Sequence, residues 1–205
     1  MELKLAIENR TSIRQFLPEP INLNDIKEMV RLASMAPSVN NYQPWKFIAI
    51  TNKDLLTKMA KLVREKINAL PDNDSKYSAN VKKQVEFFAT FFENAPALIA
   101  VCMDSYETVL EKGVSLSHDE INQMRNSPDL QSVGACIQNM LLAAVDLGYG
   151  ACWMSAPMIA GVELEEMIGV TQPCRLISFV AVGKPAKPLS PREKKPLADM
   201  LRVID

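Results

Sequence analysis

The sequence predicts an α+β domain, with a central sheet of short apolar strands sandwiched between helices. Three observations point there. Four short apolar runs, Trp45–Ile50, Pro96–Cys102, Ala151–Met154 and Leu176–Val182, read as strands. Pro96–Cys102 is apolar throughout, the pattern of a strand covered on both faces, and Leu176–Val182, interrupted only by Ser178, reads as another buried strand. Longer segments between them repeat apolar residues at three- and four-residue spacing, and these helical segments outnumber the strands.

Taken along the chain, residues 2–9 form a short amphipathic segment. A helix follows, with Asn24 as N-cap and Ile26, Met29, Val30, Leu32 and Ala33 on its apolar face. Pro37 ends it near Ala36, because the residue before a proline disfavours helix. After the Trp45–Ile50 strand, Asn52 caps a helix carrying Leu55, Leu56, Met59, Leu62 and Val63. The polar stretch 71–76 is a loop. A periodic helix then places Tyr77, Val81, Val85, Phe88 and Phe92 on one face, and the Phe87, Phe88, Phe91, Phe92 cluster reads first as core and second as the wall of a pocket for a flat substrate. Residues 103–128 are polar with helical fragments. A helix from about 130 to 147 carries Leu130, Val133, Ile137, Leu141, Ala144 and Val145, and Gly148 and Gly150 end it. Glu163 to Ile168 is a short helix, and Leu197 to Ile204 reads as an arm that packs elsewhere.

Composition narrows the function classes. At about 150 residues per domain, 205 residues predict one domain, long enough for a core without disulfide or metal staples. A content of 48% hydrophobic and 23% charged residues excludes disorder and coiled coil. Lys+Arg 23 against Asp+Glu 24 gives a net charge of -1, which argues against nucleic acid or an anionic membrane as partner. No apolar run approaches the roughly 20 residues of a bilayer span, and the charged N-terminus is no signal peptide. Four widely spaced cysteines and a single histidine, His118, make structural zinc and a histidine triad poor readings. The expectation is a cytoplasmic chain with reduced thiols, in which the glycosylation-like matches at Asn9 and Asn73 arise by chance. His118, between polar neighbours, reads as a surface residue, and Cys136 and Cys152 as small buried hydrophobes.

Four constellations could carry chemistry. In Arg10-Thr-Ser-Ile-Arg14-Gln-Phe16 a helical turn would put Arg10 and Arg14 on one face with Ser12 between, a clamp for phosphate. An exposed helix end would present the same residues. Ala36-Pro-Ser-Val-Asn-Asn-Tyr-Gln-Pro-Trp45 offers amides suited to the edge of a heteroaromatic ring, although turn chemistry alone also favours these residues. The tail Gly183–Lys195 holds a local charge of +4, an anion site or a solvated tail. Gly148-Tyr-Gly150-Ala-Cys-Trp153 is half of a dinucleotide fingerprint, but it follows a helix and precedes a strand, the reverse of the required order. No phosphate-binding loop precedes Gly183 either.

Together these segments resemble the nitroreductase family of FMN-dependent flavoproteins, in order and over nearly the whole chain. Members resemble R-x-S-x-R-x-F, as in Arg10–Phe16, then A-P-S-x-x-N-x-Q-P-W, as in Ala36–Trp45. An I-Q-N-x-x-L-A-A helix and L-G-x-G-x-x-W match Ile137–Ala144 and Leu147–Trp153, and V-G-x-P with a basic end matches Val182–Pro185 and Lys194–Leu197. The resemblance implies a central mixed sheet flanked by helices and a homodimer. It also implies exchanged C-terminal arms at about 184–205 and a possible cap at about 103–128.

It further implies FMN held by Arg10, Thr11, Ser12 and Arg14, with Arg192 or Lys194 adding charge to the phosphate. Pro37, Ser38, Gln43 and either Asn40 or Asn41 would line the ring, with Gln138, Met154 and Ser155 completing the site. NADH or NADPH would be the reductant, and a nitroaromatic, quinone or similar acceptor the oxidant, in a ping-pong scheme that needs no catalytic side chain. Many members carry two glycines where this chain has Met154-Ser155-Ala156-Pro157, which bears on substrate range. The rivals are a specialised flavoenzyme of the same fold, such as a dehalogenase or flavin-fragmenting enzyme, and a non-enzymatic anion-binding module.

Overall fold

Side-chain caps set several helix starts. In the computed structural model, which describes residues 1–71, 75–187 and 190–204, α1 spans Leu3–Asn9. Helix α2 spans Leu23–Ala33, and its cap is Asn22, whose side chain accepts from the Asn24 backbone at 2.9 Å. The cap thus lies two residues earlier than the sequence suggests. Both asparagines suit the role, but only Asn22 has the extended backbone a cap requires. The helix also ends at Ala33, three residues short of Ala36. Asn52 caps α3, Lys53–Asn68, by accepting from Leu55. Helix α4 covers Lys76–Thr90, α5 His118–Met124, α6 Pro128–Asp146 and α7 Gly161–Ile168. Pro128 opens α6, where its missing N–H costs nothing. Of the 71–76 loop and the Asn73 sequence match, residues 72–74 lie outside the described residues.

The strands are β1, Trp45–Ile50, β2, Ala97–Met103, β3, Gly150–Met154, and β4, Arg175–Gly183, in sheet order β1-β2-β4-β3. All three pairings are antiparallel, and the one parallel contact among the described residues is an isolated bridge between Ser12 and Ala151. The chain therefore differs from a truly mixed sheet. Two helices, α3 and α4, separate β1 from β2, so β2 returns in the opposite direction. Both faces are buried with strand periodicity. Ile99, Val101, Val180 and Val182 pack with Met29 of α2 and Ile137 and Met140 of α6. Leu98, Ala100, Phe179 and Ala181 pack with Leu56 and Val63 of α3, Phe92 and Leu164 of α7.

Helix α4 departs from its pattern. Tyr77 is 78% exposed and Val81, Val85, Phe87 and Phe88 are exposed too, while Ala89, Thr90, Phe91 and Phe92 are buried. The apolar stripe is real, but only its C-terminal end, where the chain turns toward β2, meets the core. Leu130 is also exposed, because it lies on the α6 flank turned away from the sheet. No helix among the described residues is long and apolar enough to cross a membrane.

Candidate active site

Residues 10–17 do not continue α1. Arg10 is its C-cap, with an extended backbone, and the chain then runs beside the sheet. Ile13 N–H donates to the Ala151 carbonyl at 3.0 Å, Leu17 N–H to Lys184 at 2.9 Å, and the Ala186 N–H to Gln15 at 3.0 Å. Gly150 permits this approach, since a Cβ there would meet the Ile13 side chain at 2.5 Å. The clamp expected from a helical turn is therefore built by strand alternation, in which residues two apart share a face. Ile13 points to the core, and Arg10, Ser12 and Arg14 share the opposite side.

All three act electrostatically on Cys152 of β3. Burial pushes the Cys152 thiol up, and the Arg14 charge, the Ser12 hydroxyl and the Arg10 charge oppose it. Arg14 also reaches the Ser12 carbonyl at 3.5 Å, with its guanidinium 5.2 Å from the Phe88 ring centre. Neither arginine has a carboxylate within ion-pair distance among the described residues. Unpaired guanidinium forks and a hydroxyl are donors of the kind that pair with phosphate oxygens.

The 36–45 loop is held in an unusual backbone. Asn40, Asn41 and Gln43 all have left-handed φ, at 50°, 54° and 53°. Asparagine tolerates this region, but Gln43 lacks that allowance. Gln43 N–H donates to Ser38 Oγ at 3.0 Å, and Val39 N–H donates to Ser132 Oγ of α6 at 3.1 Å. These bonds present the Asn40, Asn41 and Gln43 amides and Pro37 to solvent, with Ser38 half-buried. No hydrogen bond or bridge joins this loop to Arg10–Phe16 among the described residues.

The other candidates divide. Thr11 is half-buried beside the clamp. Trp153, 44% exposed, lies across α6 with its ring 3.6 Å from a Cβ built on Gly134, and Gln138 follows one turn later, exposed. Ser155 is exposed, whereas the Met154 side chain is buried in the core, so only its backbone is available. Arg192 and Lys194 are exposed and make no hydrogen bond or ion pair among the described residues, so the structure does not bring them to the clamp.

Sequence reasoning missed several residues. His118 is not a bare surface residue. Its Nε2 accepts from Asn122 Nδ2 at 2.8 Å, so Nδ1 carries the proton and donates to Glu111 at 2.8 Å. Asn122 also donates to buried Asp129 at 3.2 Å and accepts from the Tyr106 hydroxyl at 3.1 Å. Tyr106 in turn packs against Tyr42, with ring centres 5.4 Å apart. The 103–128 segment is thereby tied both to α6 and to the 36–45 loop. Ser132 carries no motif that could have marked it, and neither the motif around Cys152 nor the aromatic cluster around Phe88 signals their nearness to the arginines.

Comparison with known proteins agrees with this layout. A curated protein of Archaeoglobus fulgidus, named for an NADH dehydrogenase/NAD(P)H nitroreductase, is 26% identical over 87% of this chain and 83% of its own length. An iodotyrosine deiodinase of Nematostella vectensis is 26% identical over 91% of this chain and 68% of its own. The crystal structure of a BluB-like flavoprotein from Clostridium difficile 630 superposes with a TM-score of 0.89 at 28% identity, covering all of both chains. With its family model matching residues 7–184, from α1 through the end of β4, the chain belongs to the nitroreductase family.

Proposed function

We propose that the protein is an FMN-dependent oxidoreductase that passes reducing equivalents from NADH or NADPH to an organic acceptor, a nitroaromatic, a quinone or a similar compound. The observation that carries this reading is the unpaired Arg10–Ser12–Arg14 face beside Cys152. It suits a single phosphate monoester, and the chain offers no dinucleotide fingerprint for a second phosphate. The flavoprotein nature of the Clostridium relative and the NAD(P)H in the name of the Archaeoglobus relative support the same choice. Bound FMN would supply the hydride chemistry.

The side chains have distinct tasks. Arg10, Thr11, Ser12 and Arg14 hold the phosphate end. Pro37, Ser38, Asn40 or Asn41, and Gln43 read the ring edge, and the backbone at Met154 and Ser155 lies against it with Gln138 near. Left-handed backbone at Asn40, Asn41 and Gln43 fixes their amides before any ligand arrives. The lack of contact between loop and clamp within one chain supports a homodimer in which each loop serves the partner's site. Exposed Leu197, Met200, Leu201, Val203 and Ile204 support an arm that packs on that partner and brings Arg192 or Lys194 to the phosphate. Four free cysteines suit a cytoplasmic setting. A second reading, reductive dehalogenation on the same cofactor, is favoured by the deiodinase relative and by the ordered 103–128 segment.

The absorption spectrum of the purified protein, with anaerobic addition of NADH or NADPH, tests the proposal. Flavin bands that bleach support it. Bands that do not bleach remove the nicotinamide half of the reading. A colourless protein that ignores added FMN overturns it in favour of an anion-binding module.

A further inference from the structure

We propose that the acceptor of this protein is a ring-sized molecule bearing a carboxylate, and that Arg125 recognises that carboxylate. The inference rests on the oxidoreductase reading and narrows its substrate. A cavity of about 420 Å³ lies between the 36–45 loop and the 103–128 segment, lined by Asn40, Val109, Leu110, Gly113, Val114 and Arg125. Such a volume falls in the range of about 300–1,000 Å³ typical of small-molecule sites. Its walls are unusual for a surface connection. Val109, Leu110 and Val114 are all exposed aliphatic side chains turned onto one hollow. They offer apolar contact to the body of a ligand, while Asn40 joins the hollow to the loop assigned to the cofactor ring.

Arg125 is the only charged residue lining this cavity, and no carboxylate of the described residues pairs with it. Other cations nearby are engaged: Lys112 pairs with Glu107 at 3.3 Å and Arg175 with Asp129 at 3.6 Å. An unpaired guanidinium at the rim of an apolar hollow selects a planar anion, because its fork matches a carboxylate with two parallel hydrogen bonds. Its backbone position is fixed. Arg125 caps α5, its N–H donates to the Ile121 carbonyl at 3.1 Å, and α5 is anchored through Asn122 to buried Asp129. The hollow is thus an amphipathic subsite, with apolar walls for a ring and one cation for its charge.

The test compares 4-nitrobenzoate with its neutral counterpart 4-nitrobenzamide as acceptors for the flavin-loaded dimer. The expected wild-type preference in kcat/KM is about tenfold for the anion, the scale of one charge-assisted bidentate pair. Arg125→Gln should bring the ratio near one, mainly through the KM of the anion, and Arg125→Lys should retain part of it. Lys112→Gln, which removes a neighbouring charge outside the cavity, should leave the ratio unchanged. Non-reducible benzoate should perturb the bound-flavin spectrum of the wild type and not of Arg125→Gln, a readout independent of turnover. A yellow, bleachable enzyme with no preference for the anion overturns this inference and leaves the cofactor reading standing. So does an Arg125→Gln variant whose KM rises equally for NADH or NADPH, since Arg125 would then serve nicotinamide phosphates. Failure to bind FMN overturns both.

Discussion

The Arg14 guanidinium lies 5.2 Å from the centre of the Phe88 ring, so an exposed aromatic of α4 supports a cation of the candidate phosphate clamp. This gives the outward-facing end of the α4 stripe a role that core packing does not. Phe88→Ala should weaken FMN binding about two- to fivefold, the scale of an exposed cation–π contact of about 0.5–1 kcal/mol. Quenching of flavin fluorescence on titration would measure it. Because Phe88 is 39% exposed, the melting temperature should hardly move. An unchanged FMN affinity would show that Arg14 is oriented without the ring.

Gly150 is where the clamp segment comes closest to the sheet. Alanine there would place a methyl carbon 2.5 Å from Ile13 Cγ1 and 2.7 Å from its Cβ, which cannot rotate away. Gly150→Ala should therefore cost about 1–3 kcal/mol in stability, as overpacking does, and loosen the cofactor as the Arg10–Phe16 segment is pushed off β3. Thermal melts with and without FMN would separate the two effects. Normal stability and normal affinity together would contradict the geometry.

Much of this was legible in the sequence, for reasons that differ by element. Strands β2 and β4 were readable because burial on both faces leaves largely apolar runs such as Leu98–Cys102. Asn52 caps α3 as the sequence suggests, whereas for α2 the two asparagines Asn22 and Asn24 both suit a cap and only the backbone decides between them. The expected clamp residues lie in an extended segment beside β3 and not on a helical turn. A spacing of four suits one helical face and one strand face alike, and pairing with distant Ala151 decides between them. The fate of Phe88 was not legible, since periodicity records an apolar face and not what covers it. Cys152 and Arg125 gain meaning only from neighbours brought in by the fold.

The 103–128 segment should loosen in acid. A backbone hydrogen bond from Thr108, with the His118 ring, holds the Glu111 carboxyl below its usual range, and the Ser117 hydroxyl and N–H do the same for Glu120. A depressed carboxylate contributes stability that is present above its unfolded pKa, about 4.3 for Glu, and lost as pH falls through the folded value. Hydrogen exchange in residues 106–124 should therefore rise as pH falls below about 4.3, after correction for intrinsic rates. Glu111→Gln should reduce the acid-induced component. Uniform loosening of the whole chain at that pH would point instead to global unfolding.

Ser178 of β4 is buried at 1% exposure, and its hydroxyl has no hydrogen-bond partner among the described residues. It sits opposite Val101, next to the register shift between Val101 and Cys102. Removing an unsatisfied buried hydroxyl relieves a desolvation penalty, so Ser178→Ala should be neutral or stabilising by about 1 kcal/mol. Urea denaturation would show it as a raised midpoint with an unchanged slope. A clear loss of stability would mean that the hydroxyl has a partner, such as an ordered water.

The C-terminal residues supply the last prediction. Leu197, Met200, Leu201, Val203 and Ile204 are 58–81% exposed, and between Leu197 and Met200 the chain makes only one short 3₁₀ turn, Leu197–Asp199. Burying five such side chains on a partner would favour association, at about 1.5–3 kcal/mol for each side chain fully buried, less the cost of ordering the arm. A chain ending at Lys187 keeps the Phe16–Pro185 bridge and all four strands, so the protomer should still fold. Removing the arm should shift the mass measured by light scattering toward the monomer and weaken FMN retention in parallel, since Arg192 and Lys194 leave with it. A truncated chain that stays dimeric and yellow would show that the interface lies elsewhere and that Arg10, Ser12 and Arg14 hold the phosphate without help.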